Sequence, residues 1–148
     1  MTMVQFARYS PKDVVFLAGS VPIDSGRSSD SDFISITKTE DEVTYKASVD
    51  GDGTTSSVFN SYHEVTLVLR KTAAGNAVLT GLHKLGRLNS KGFVVVPIMI
   101  ADKGSKGNLF MASEAWIKKF PDDSYAKESG DVTWVFGVHA PEHAIMGN

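Results

Sequence analysis

The sequence predicts a mainly β fold: an antiparallel β-sandwich or barrel with one α-helix packed on it. Three observations carry this. Seven or more short stretches either alternate apolar and polar residues or run apolar for the length of a strand. Gly-, Ser- and Asp-rich turn signals punctuate them. A helical period occurs over one stretch only, residues 73–88, and the spacing of the rest favours antiparallel neighbours.

In chain order, residues 14–18 read as a strand closed by Gly19, with 21–23 continuing it past a kink. Residues 24–32 are rich in Ser, Asp and Gly and read as a flexible loop. Residues 33–39 and 43–49 both alternate, so they read as an antiparallel hairpin with Glu40, Asp41 and Glu42 at its tip. Val43, Tyr45, Ala47 and Val49 share one face of the second arm. The string DGDG at 50–53 is a turn signal, and β-formers follow over 54–60. Residues 64–70 alternate again.

The period then changes. Thr72 is placed to cap a helix in which Val78, Leu82 and Leu85 recur at helical spacing. Residues 93–101 form a nearly continuous apolar strand that reads as buried on both faces, with Pro97 requiring an edge or a bulge. A Gly- and Lys-containing turn, 102–108, leads to residues 109–120, stopped by Pro121. Residues 132–139 form the last strand, followed by a short flexible tail.

At 148 residues the chain fits a single domain spanning its whole length. The composition is ordinary for a globular protein, 42% hydrophobic and 22% charged. Fifteen basic residues against 17 acidic ones give a net charge of -2. A protein that grips nucleic acid through its phosphates needs a basic stripe, so that class is disfavoured. A protein that lets nucleic acid pass without holding it is not. The absence of cysteine excludes disulfides and thiolate zinc sites. No stretch approaches the roughly 20 apolar residues of a membrane helix, and residues 1–9 do not read as a signal peptide.

The search for chemistry returns weak strings. His139, Glu142 and His143 match H-x-x-E-H, but metal binding needs both histidines on one helical face, and Pro141 breaks that helix. A solvated tail fits better. Residues 50–61 depart from a calcium loop, with Thr55 in place of the required glycine and Ser61 in place of the closing glutamate. Lys106 belongs to no phosphate loop. His63 and His83 have no relay partner in sequence. Asp122 and Asp123 read as a polar turn. Trp116 and Trp134 carry large apolar area. Trp116, followed by Lys118 and Lys119, also suits a half-exposed strand at an interface. No catalytic, metal or cofactor residue is assigned, and the chain is expected not to be an enzyme.

The order of the motifs carries a resemblance. DGDG at 50–53 leads to Asn60 and Ser61, then EVTLVLR at 64–70, then Lys71, Thr72, Asn76 and Leu79 opening a helix. VPIMIAD at 96–102, AWIKKFPD at 115–122 and WVF at 134–136 follow. From about Asp13 to Val138 this series resembles the tail tube proteins of tailed bacteriophages, particularly contractile-tailed ones. Ala73 and Ala74 depart from the family pattern, which has a serine there.

The resemblance implies hexameric rings stacked into a hollow tube, with strands of all subunits closing one barrel around the channel. Phage DNA passes through without specific binding. Sheath, baseplate and tail terminator proteins are the implied partners, and the virion tail, assembled in the host cytoplasm, is the implied location. The type VI secretion tubes are similar in fold. On this reading Glu40, Asp41, Glu42 and Glu64 are candidates to line the channel. Asp24, Arg27, Asp30 and Asp32 are candidates to reach the next ring, and Trp116, Lys118 and Lys119 are candidates for an outer or subunit interface. A secretion-system tube and a small-ligand-binding β-barrel stay open as alternatives.

Overall fold

Alternating sequence becomes alternating burial on the central strands of the body. The computed structural model describes residues 9–23, 26–27, 32–57, 61–104 and 108–146. A single 3-10 turn, Pro11–Asp13, leads into β1 (Val14–Ala18) and β2 (Val21–Pro22). Then come β3 (Ile34–Lys38), β4 (Val43–Ala47), β5 (Gly53–Ser57) and β6 (Tyr62–Arg70). Helix α1 (Gly75–Leu88) precedes β7 (Val96–Asp102), β8 (Leu109–Lys119), β9 (Asp131–His139) and β10 (Glu142–Ala144). Among the described residues the fold is mainly β, with antiparallel ladders and one α-helix, as the sequence predicts.

The main sheet runs β2-β1-β7-β8-β9-β6-β3, with β10 also paired to β8. It rolls over its own core. Phe16 of β1 and Phe136 of β9 are separated by two strands in ladder order, yet their rings lie 5.7 Å apart. Val65, Leu67 and Leu69 of β6, Ile98 of β7, Phe110 of β8 and Trp134 of β9 fill the same interior. Burying each such side chain stabilises by about 1.5–3 kcal/mol. Among the described residues no ladder joins β3 to β1, so the sheet is not a closed barrel. Arg27 sits at this seam: its guanidinium donates to the carbonyls of Val14 and Pro11 and lies 4.9 Å from the Phe33 ring centroid.

Helix α1 closes the core with Leu79, which is fully buried. Thr72 does not cap it. The helix starts at Gly75, and no side chain caps that end. Asn76 ties the start down instead. Its Nδ2 donates to the carbonyls of Arg70 (2.9 Å) and Lys71 (3.2 Å), and its Oδ1 accepts from Trp134 Nε1 at 3.0 Å. Gly75 is required by packing, since a Cβ there would stand 2.7 Å from Ile23 Cγ2.

Four local expectations are corrected. Residues 21–23 do not continue β1; the chain reverses at Gly19 (φ 65°), so that Ala18 faces Val21. β7 is buried on one face, not two, because Ile98 and Ile100 point inward while Pro97 is exposed. Pro97 does sit at a bulge, between Val96 and Ile98. Residues 142–144 are not a solvated tail: Glu142 faces Met111 and Ala144 faces Leu109, on the line along β8 that β9 occupies further up.

The fourth correction concerns the hairpin. β3 does not pair with β4. It pairs with β6, while β4 pairs with β5 in a separate two-stranded sheet. The two ladders are halves of one long hairpin. Ile34 faces Leu67 and Val43 faces Ser57, so nine residues along one arm match ten along the other. The acidic residues 40–42 are thus a kink in one arm, not a tip. The tip is the DGDG turn.

Candidate assembly surfaces

The distal hairpin, β4 and β5, leaves the body entirely: every residue of both strands is exposed. Its turn forms because Gly51 takes φ 91°, which lets Ser48 N–H reach the Asp52 carbonyl at 2.7 Å. Tyr45 lies directly over Gly53, so a larger residue at that position would turn the exposed ring aside. Val43, Tyr45 and Val49 are 61%, 67% and 105% exposed. A two-stranded hairpin with no covered face is marginal in water, and it gains stability when another surface covers it.

At the base of the hairpin, Ile36, Lys38, Glu42, Val43, His63, Pro141 and His143 line an open groove of about 870 Å³. Glu42 pairs with Lys38, whose hydrogen bond and charge hold its carboxyl below the usual range. His143 meets the edge of Phe110 at 5.3 Å. Desolvation lowers its pKa, and the nearby His63 adds to the effect. His139 and His143 stand on strands, not a helix, with Ala140 at φ 47° between them. Among the described residues no three His, Cys, Asp or Glu side chains are placed to hold a metal.

The outer face of β6, β9 and β8 carries the third feature. Trp116 faces Gly137 across the ladder, stacks on Tyr62 at 6.2 Å and meets Phe93 at 6.1 Å. Beside it Lys118 pairs with Glu64. The hydrogen bond from Lys118 lowers the Glu64 pKa, and the same bond raises that of Lys118. Tyr62 Oη also donates to Glu64 at 3.3 Å.

The residues singled out in sequence therefore fall as follows. Glu40, Asp41 and Glu42 sit between β3 and β4, where Glu42 reaches back to Lys38, the register partner of His63 beside Glu64. Glu64, assigned to one surface, is brought together with Trp116 and Lys118, assigned to another. Lys119 approaches Asp122 at 3.4 Å. Arg27 spends its guanidinium on the body of its own chain, Asp32 is exposed, and Asp24 and Asp30 lie outside the described residues. Asp122 and Asp123 are no carboxylate dyad: Asp123 binds Lys71, which also donates to the Ser124 carbonyl and lies over the Tyr125 ring.

Sequence reading missed two surfaces. One is the apolar stripe of the freed hairpin, whose alternation was visible but whose lack of cover was not. The other is the C-terminal half of α1, where Leu85 and Leu88 are 57% and 85% exposed. The signal there was the run Ala77, Gly81, Leu85 and Leu88 on one helical line.

A rolled antiparallel sheet, one plugging helix and a long kinked hairpin define a tail-tube-like protein of a phage or contractile injection system. The chain belongs to the family of the bacteriophage PhiTE tail tube protein, whose sequence pattern it matches over residues 9–145. No curated protein sequence matches it. Among solved structures it is similar to the tube-terminating cap of the anti-feeding prophage. That likeness has a TM-score of 0.64 at 12% identity, covering 96% of this chain and 93% of the other. It is also similar to the sheath/tube terminator of an extracellular contractile injection system, PVC, in its extended state. There the TM-score is 0.63 at 10% identity, covering 95% and 98%. At such identities the likeness speaks to fold alone.

Proposed function

We propose that the chain is a structural subunit of a phage tail tube, not an enzyme. Copies join into hexameric rings, the rings stack, and the hollow stack conducts the genome. The observation that carries this reading is the distal hairpin, exposed on both faces with unpaired edges. Such edges in a lone subunit invite aggregation, and pairing them with neighbouring copies removes them. Family membership over residues 9–145 supports the same use. On this reading the protein resides in the virion tail, with sheath, baseplate and terminator proteins as its neighbours.

The charge pattern suits passage of DNA. A slightly acidic wall repels phosphates, so the duplex slides without sticking. Of the four candidate lining carboxylates, Glu42 and Glu64 are ion-paired with Lys38 and Lys118. Glu40 and Asp41 have no ion pair among the described residues.

A second reading has its own observation. Both solved structures named above end a tube instead of forming its length, and both belong to contractile injection particles. The same fold in this chain then caps the tube as a single ring. Negative-stain microscopy of the purified full chain over a range of concentrations separates the readings. Long tubes support the tube subunit and isolated rings the terminator. A chain that stays monomeric at every concentration overturns both.

A further inference from the structure

Within the tube reading, on which this inference rests, we infer that the hairpin of one copy docks on the C-terminal half of α1 of the next. The two surfaces match in charge. Residues 40–53 carry five carboxylates, Glu40, Asp41, Glu42, Asp50 and Asp52, against the single Lys46. Helix α1 contains no Asp or Glu, and its last turns and the following loop carry Lys84, Arg87 and Lys91.

They also match in shape and apolarity. The hairpin offers Val43, Tyr45, Ala47 and Val49 along one face. The helix offers Leu85 and Leu88, joined by Phe93 at 44% exposure and Val95 at 48%. On the same helical line Ala77 is small and exposed, and nothing lies within 4 Å of where a Gly81 Cβ would stand, so a strand can approach closely.

The two surfaces come from different parts of the chain. The hairpin extends from β3 and β6. The end of α1 packs its Gly86 against the backbone of Phe93 and Val94, which lead into β7. A contact that sets one surface of a copy on a different surface of the next closes into a ring when the rotation allows.

Charge reversal tests the contact. The Lys84→Glu/Arg87→Glu variant is expected to lower the assembled fraction in sedimentation velocity by about tenfold or more, since like charges then face each other. The Glu40→Lys/Asp41→Lys variant is expected to do the same. Circular dichroism of each monomer confirms the fold. Combining all four substitutions in one chain, or mixing the two variants, restores assembly. Because the chain has no cysteine, Tyr45→Cys/Leu85→Cys adds a second readout: an oxidation-dependent ladder of linked copies. Wild-type assembly with both reversed variants assembling undiminished and no ladder overturns this contact while leaving the tube reading standing. A wild-type chain that never assembles overturns the tube reading itself and this contact with it.

Discussion

Trp116 lies across Gly137, its register partner on the neighbouring strand, so closely that a Cβ on Gly137 would stand 2.6 Å from the indole Nε1. Glycine in a strand interior weakens the strand unless something needs its missing side chain. Here the indole fills that space, and it leans on Tyr62 and Phe93 as well. One glycine thus seats an aromatic cluster on the outer face of the sheet.

Gly137→Ala therefore displaces the Trp116 ring and is expected to destabilise by about 1–3 kcal/mol, as overpacking does. Thermal unfolding measures the loss, and Trp fluorescence reports the displaced indole. An unchanged melting temperature with unchanged fluorescence would show that the ring has room to spare.

Asn76 joins the helix start to the buried indole of Trp134. Asn76→Ala leaves Trp134 Nε1 and two carbonyls without that partner, which costs about 1–3 kcal/mol. Denaturant unfolding is the measurement. Asn76→Asp keeps the acceptor for Trp134 but sets a carboxylate oxygen against the carbonyls of Arg70 and Lys71, so its loss should be at least that of alanine. A smaller loss would place the main effect in the bond to Trp134.

The Glu64–Lys118 pair is exposed, so removing it changes stability little. Its effect on protonation is clearer. The folded pKa of Glu64 lies below the ordinary 4.5, so the unfolded chain holds that proton more tightly. The contribution is present above 4.5 and disappears as pH falls through the folded value. Lys118→Ala should raise the Glu64 pKa toward 4.5 in a carbon-13 NMR titration. No movement would show that Lys118 is not what lowers it.

His143 follows the same sign. Its folded pKa is lowered from 6.5, so stability is full above 6.5 and declines as pH falls through the folded value. β10 carries this histidine, so the protection of the amides at 142–144, taken relative to their intrinsic exchange rates, is expected to fall on mild acidification. His143→Gln removes that dependence. Protection that falls equally in the variant would assign the effect to another group.

Much of the fold was legible because burial on one face imposes a period. Residues 64–70 and 132–138 alternate, and they became β6 and β9, the longest pairing in the sheet. The helix showed through its change of period. The Pro97 bulge was legible because proline lacks the ladder donor. The hairpin was not. Residues 33–39 and 43–49 are adjacent and both alternate, so local pattern favours pairing them. Their true partners lie further along the chain, and no local pattern says which alternating strand takes which.

The site divides the same way. The DGDG turn, the charge balance, the alternation and the motif order were determined by the sequence alone, because turn geometry and residue spacing are local. That the hairpin has no cover, that Glu64 meets Lys118, and that Leu85 and Leu88 stay outside were decided only by the tertiary structure. Each depends on which surfaces the rolled sheet uses for its own core. What that core does not claim, an apolar acidic hairpin and an apolar basic helix end, is what remains for a neighbour.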